Sequence, residues 1–361
     1  MNYTLYISLW ITLWMGLSFM ACSGDEVVIP GTDERVEITF RIDNYTKVVT
    51  STRSASKAVT RATDIGSTEE SQIDDLYLFL FKSDGSDPVK YYISTAGDFT
   101  YNSKSGNWDK TNGKITLNMT QAEAGTRLVY IVANCADLKS NLDAVTTVSG
   151  TGTTALQTVL HTTPTPWSLT TPLLMSGNAM HNFIENRVLG SGGTNPKVKL
   201  TRALAKVELN ITLKTEHQSK PVVKEGDFSD PNPSLTDKPQ YHYAFLNFDK
   251  NTYLWKPGTK TGDLTAPAAT VDLHSLSESA WVVWNTLGTY TQDSNGIVTT
   301  LKLITYINER DEEAGKPLSS IGISMPYTGP KPPPEFGPDI SQIFLPKKIE
   351  RNHWYVYDVE L

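Results

Sequence analysis

The chain has 361 residues, 39% of them hydrophobic and 20% charged, with a formal net charge of −7. That balance is globular, the length suits two domains, and the acidic total leaves no basic footprint for nucleic acid. The only cysteines are Cys22 and Cys135, so if Cys22 is modified the fold must be held by its core without a disulfide.

Residues 1–21 are apolar and aromatic and carry no charged side chain. They read as a secretory signal ending at Phe19-Met20-Ala21-Cys22. The junction resembles the lipobox of bacterial lipoproteins, with Phe19 where Leu is usual and no Lys or Arg in the leading region. The resemblance implies that Cys22 is diacylated and becomes the new N-terminus. Acyl chains then anchor the precursor to a membrane, each buried methylene contributing about 0.8 kcal/mol. The other reading of residues 1–21 is an uncleaved membrane anchor.

Next comes a strand with period two. Val36, Ile38, Phe40 and Ile42 alternate with Glu37, Thr39 and Arg41, the mark of a half-buried strand. From Asn44 to Thr63 the chain has Lys47, Arg53, Lys57 and Arg61 but no Asp or Glu. This run is expected to be a mobile linker open to proteases. A removable strand on a cuttable leash is one reading; an edge strand followed by an ordinary linker is the other.

Beyond Arg61 the pattern is almost all β. Ile73 to Phe81 is a near-continuous apolar run, as in a strand buried on both faces. Further strands are predicted at Val89–Ile93, Gly113–Met119, Arg127–Asn134 and Leu173–Gly177, with short helices at Ala136–Val145 and Thr154–His161. Val198 to Leu213 is predicted as one long strand, with the domain joint just before it, near Thr194. Strands follow at Tyr241–Phe248, Ala280–Asn285, Thr299–Asn308, Ile321–Met325 and from Trp354 onward. Residues 220–239 and 330–338 are Pro-containing loops. Many short strands with Gly and Pro turns imply β-sandwiches, two in tandem.

Recognisable catalytic chemistry is missing. The six histidines have no metal-ligand spacing, and there is no phosphate loop or nucleophile elbow. No cofactor is implied. Asp74-Asp75 and Asp311-Glu312-Glu313 read as solvated strand edges and turns. Arg351-Asn352-His353 reads as a turn into the last strand. The 8 Trp and 16 Tyr leave a sugar-binding face conceivable, although aromatics in a sandwich are mostly core.

Several segments in order resemble the fimbrillins, lipoprotein subunits of type V pili: Ile73 to Phe81, Val129 to Asn134, Leu173 to Asn178, Arg202-Ala203-Leu204-Ala205-Lys206-Val207 and Ile349-Glu350-Arg351-Asn352-His353-Trp354-Tyr355. The resemblance implies two transthyretin-like β-sandwich domains, residues 62–194 and 195–361, behind a signal peptide (1–21) and a propeptide (22–61). It implies cleavage by an arginine-specific protease at Arg61-Ala62, with Arg53-Ser54 as the other candidate. The cut removes the strand of Val36, Ile38, Phe40 and Ile42, and a strand from another pilin subunit replaces it. The implied address is the outer membrane and then the fimbrium. Stalk subunits of the family carry an extension after the strand that begins at Arg-Asn-His. This chain has eight residues after His353, so a tip subunit with an adhesive role and a host or bacterial receptor is expected. A stalk or anchor pilin, donation of Trp354–Leu361 itself, and a surface glycan-binding lipoprotein are the alternatives.

Overall fold

In the computed structural model, residues 35–51, 58–150, 152–163, 170–192, 195–224, 237–256, 260, 262–264, 273, 276–329 and 338–361 are described. Cys22, the signal segment, Arg53-Ser54 and most of both Pro-containing loops lie outside them. The architecture is all-β, in two sandwiches, as the pattern of short strands implies.

The strands of the first half are β1 (Arg35–Ile42), β2 (Tyr45–Ser51), β3 (Ala58–Asp64), β4 (Leu76–Lys82), β5 (Val89–Ile93), β6 (Gly97–Tyr101), β7 (Lys104–Asp109), β8 (Lys114–Thr120), β9 (Thr126–Ala133), β10 (Leu160–Thr162), β11 (Met175–Asn182), β12 (Val188–Leu189) and β13 (Val198–Arg202). All but β2, β3 and β10 form one sheet, in the order β5-β4-β9-β11-β13-β1-β8-β7-β6, with β12 also on β1. Its two ends meet where β5 leads into β6 and the rings of Tyr91 and Phe99 touch edge to face at 6.0 Å. The enclosed core joins Val36, Ile38 and Phe40 to Leu76, Leu78, Leu80, Ile115, Leu117, Val129 and Ile131. The other face of β4 and β9 is buried too: Tyr77, Phe79, Phe81 and Tyr130 pack under the helical turns at 136–144. That double burial explains the unbroken apolar run of β4.

The second half comprises β14 (Leu204–Thr212), β15 (Val222–Lys224), β16 (Asp237–Pro239), β17 (His242–Leu246), β18 (Asn251–Tyr253), β19 (Val282–Val283), β20 (Gly288–Gln292), β21 (Val298–Asn308), β22 (Ser320–Met325), β23 (Asp339–Phe344) and β24 (His353–Glu360). A six-stranded sheet, β20-β21-β14-β24-β2-β3, faces a four-stranded one, β19-β17-β22-β23. Between them lies a core that includes Val207, Leu209, Tyr243, Trp284, Leu303, Ile323 and Tyr357.

Three expectations need correction. The stretch from Asn44 to Thr63 is not an open linker where it is described: β2 and β3 pair antiparallel, Tyr45 with Asp64 through Ser51 with Ala58, and β2 lies parallel to β24. Its Val and Thr content suits an edge hairpin, which gains backbone pairing without much burial. Residues 198–213 are not one strand, because β13 pairs with β11 and β1 whereas β14 pairs with β21 and β24. The passage between sheets therefore falls at Arg202-Ala203 and not near Thr194. Nor are the acidic clusters all solvated: Asp75 is buried and accepts from the Cys135 N–H at 2.9 Å, and Asp311 pairs with Lys256 at 2.6 Å.

Candidate functional site

β1 is an inner strand of the first sheet although it lies near the start of the chain. On one side it runs antiparallel to β8, with Ile38 opposite Ile115. On the other it runs parallel to β12 over Glu37–Ile38 and to β13 over Phe40–Ile42. The alternation read from the sequence holds: Val36 and Ile38 are fully buried, Phe40 nearly so and Ile42 partly, while Arg35 and Arg41 are exposed. Burying each of the three larger side chains is worth about 1.5–3 kcal/mol. On the outer face Glu37 bridges both neighbours, 3.1 Å from Arg187 and 3.7 Å from Lys114.

The walls of this slot are built close to the strand. The Thr39 hydroxyl donates to the Leu189 carbonyl at 2.8 Å, and the Phe40 N–H donates to the Gly113 carbonyl at 2.9 Å. Gly113 has φ +60°, and a Cβ there would sit 2.6 Å from the Phe40 carbonyl oxygen. Only glycine allows that approach. At the end of β1 an open cleft of about 330 Å³ is lined by Phe40, Ile42, Ile73, Trp108 and Lys197, among others.

From Ile42 the chain crosses to the other sandwich in two residues, Asp43 and Asn44, and continues as β2. The same segment thus occupies a slot in one domain and an edge position in the other. Beneath the crossing lies fully buried Arg202, at the end of β13. Its guanidinium donates to the carbonyls of Asp43 (2.8 Å), Ile65 (3.0 Å) and Glu70 (3.1 Å), to Ser71 Oγ (3.2 Å) and to Asn352 Oδ1 (3.1 Å). One face of the guanidinium is covered by the ring of Tyr45 at 4.1 Å. Asn352 turns the chain into β24 at φ +56°, as the turn expected at Arg351-Asn352-His353 requires. Its Nδ2 donates to the Asn44 carbonyl at 2.6 Å and its carbonyl accepts from the Thr46 N–H at 3.0 Å.

Next to Arg202 the buried carboxylate of Glu70 is 2.8 Å from Lys206 and accepts from the Tyr306 hydroxyl at 2.6 Å. Burial pushes this carboxyl up, but hydrogen bonds from Lys206, Tyr306 and the Ser67 N–H outweigh it and hold Glu70 below the usual range. Lys206 and Lys47 lie over the ring of Trp354 at 3.8 and 3.9 Å.

The structure therefore brings together the apolar residues predicted for the leading strand and places Arg61 and Ala62 on β3, both exposed. Arg61 pairs across the hairpin with Val48. Sequence reasoning missed the junction of Tyr45, Glu70, Arg202, Lys206 and Asn352. The available signal was an arginine and a lysine set in the apolar run from Val198 to Leu213, where a buried charge demands partners. β24 lies between β14 and β2 with Tyr355, Val356, Tyr357 and Val359 buried, so withdrawing it would open the second core. Trp108 and Trp284 and many of the tyrosines, including Tyr77, Tyr91 and Tyr243, are interior.

Residues 37–209 match the family model of the major fimbrial subunit protein (FimA), and residues 203–360 that of the C-terminal part of the minor fimbrium tip subunit MfA4. The overlap falls at the passage from β13 to β14. The minor fimbrium tip subunit MfA4 of Porphyromonas gingivalis is 39% identical over 375 residues, covering 100% of this chain and 99% of that protein. Among solved structures, a protein described as a candidate cell-adhesion protein of Bacteroides eggerthii aligns with a TM-score of 0.51 at 16% identity, over 92% of this chain and 87% of its own. That likeness concerns the fold alone.

Proposed function

The chain belongs to the bacterial fimbrial-subunit family, and from that premise we propose that it is a tip subunit which joins its fimbrium by accepting a strand. On this reading the precursor is anchored through acylated Cys22 and is cut after Arg61. The segment ahead of Ala62 then leaves, taking β1, β2 and the first part of β3. An extended segment of another subunit enters in its place, and the chain works by association, with no catalytic step of its own.

One observation carries the reading: the first strand of the described residues, joined through a short hairpin to an exposed arginine, fills the middle of a sheet. Its departure would leave β8 and β13 facing each other across a gap, with unpaired N–H and C=O groups and pockets for three large apolar side chains. Each buried group left unpaired costs about 1–3 kcal/mol, and a strand supplied by another chain satisfies all of them at once. Loss of β2 would likewise turn β24 into an edge. The tip position rests on the 39% identical relative named above. The buried place of β24 favours accepting over donating, because giving it up would dismantle the second core.

The test is to treat the full-length precursor with an arginine-specific protease and then add purified fimbrial subunits from the same organism. The mature N-terminus should be Ala62 by mass spectrometry, and only the cut form should enter a complex. An N-terminus at Ser54 would move the site, and equal assembly of cut and uncut protein would overturn the reading.

A further inference from the structure

Alternating apolar side chains are common to amphipathic strands at large, so the β1 slot by itself selects weakly among them. What lies just past β1 is more demanding. Fully buried Arg202 has its guanidinium face covered by Tyr45, itself 1% exposed, and one of its acceptors is the Asp43 carbonyl. Both residues precede Arg61. The other acceptors, at Ile65, Glu70, Ser71 and Asn352, all follow it. Departure of the leading segment would therefore keep most of the guanidinium's hydrogen bonds and strip away its cover and one carbonyl. A buried cation without its cover is unfavourable, and a ring face is the side-chain surface that suits it best.

The geometry points to a chemical requirement on the strand that this chain accepts, and the inference rests on the strand-replacement reading above. The incoming segment carries apolar residues at four alternate positions, matching Val36, Ile38, Phe40 and Ile42. It then carries an aromatic residue three positions beyond the last of them, which stacks on Arg202. The backbone between the two parts presents carbonyls to Arg202 and to Asn352 Nδ2, as Asp43 and Asn44 do. Arg202 thus selects partners by a ring at one register position. The hydroxyl of Tyr45 has no hydrogen-bond partner in its buried setting, so the ring is what is recognised and phenylalanine serves as well.

The test uses the full-length chain cut in place with the arginine-specific protease and an excess of fluorescent synthetic peptides spanning residues 35–51. The native peptide and its Tyr45→Phe form should exchange into the cut protein with affinities within about threefold of each other. Tyr45→Leu and Tyr45→Ala should bind at least about tenfold more weakly, and Ile38→Asp should not bind. If the Leu and Ala forms bind like the native peptide while Ile38→Asp fails, the slot is real and the aromatic requirement is wrong. If no peptide enters the cut protein, the strand-replacement reading falls and takes this inference with it.

Discussion

Arg202 and Asn352 meet at 3.1 Å across the passage between the two sandwiches, one closing the last strand of the first sheet and the other opening the last strand of the second. Through them the leading segment is tied to both domains, since Arg202 holds the Asp43 carbonyl and Asn352 holds that of Asn44. Replacing Arg202 by Met would leave several buried acceptors without a donor. Urea unfolding of the full chain should then show a loss of about 3–5 kcal/mol. Arg202→Lys should recover little of it, because a single ammonium cannot reach acceptors spread around a planar fork.

The slot should be intolerant in proportion to burial. Phe40→Ala is expected to cost about 3–5 kcal/mol, and Arg41→Ala, one residue on and exposed, less than about 0.5 kcal/mol. Similar losses for the two in thermal unfolding would mean that the strand does not sit in the sheet as described.

Gly113 tests the closeness of the slot wall. An alanine there meets the Phe40 carbonyl oxygen and must hold a φ of +60°. Gly113→Ala should therefore destabilise by about 1–3 kcal/mol.

Cleavage should depend on Arg61. With Arg61→Ala the protease product beginning at Ala62 should vanish from the mass spectrum, while the protein remains folded because that side chain is exposed on an edge strand. Since Arg61 is paired with Val48 across the hairpin, cutting requires the edge to open locally. Breaking that pairing with Val48→Pro should speed the cut.

The junction carboxylate predicts an acid limb. Glu70 is held below its ordinary value of 4.5. A carboxyl depressed by folding stabilises the fold fully above its unfolded value, and that contribution drains away as pH falls from there through the folded value. Stability should thus decline below about pH 4.5. Glu70→Gln should be less stable at pH 7 and show a shallower decline in acid, measured by urea midpoints at successive pH values.

Much of the architecture is legible in the amino-acid sequence. Alternation marked β1, an unbroken apolar run marked β4 as a strand covered on both faces, and β5, β9, β21 and β22 fell within a residue or two of their expected limits, because in each of these strands side-chain burial follows directly from residue type. The polar hairpin of β6 and β7, which turns at Asn102 and Ser103 with positive φ, carried too little apolar pattern to be seen. The same holds for β2 and β3, whose pairing comes from the backbone. What the amino-acid order alone determined was the repertoire: an all-β chain with a detachable-looking first strand and an arginine behind it. Only the tertiary structure decided that this strand lies inside a sheet, that its continuation completes the second sandwich, and that Arg202 joins the two. Those facts depend on pairings between residues far apart in the chain, such as Ile38 with Ile115, Arg202 with Asp43 and Asn352 with Asn44, and no local pattern encodes which distant backbone will be there to receive a buried strand or charge.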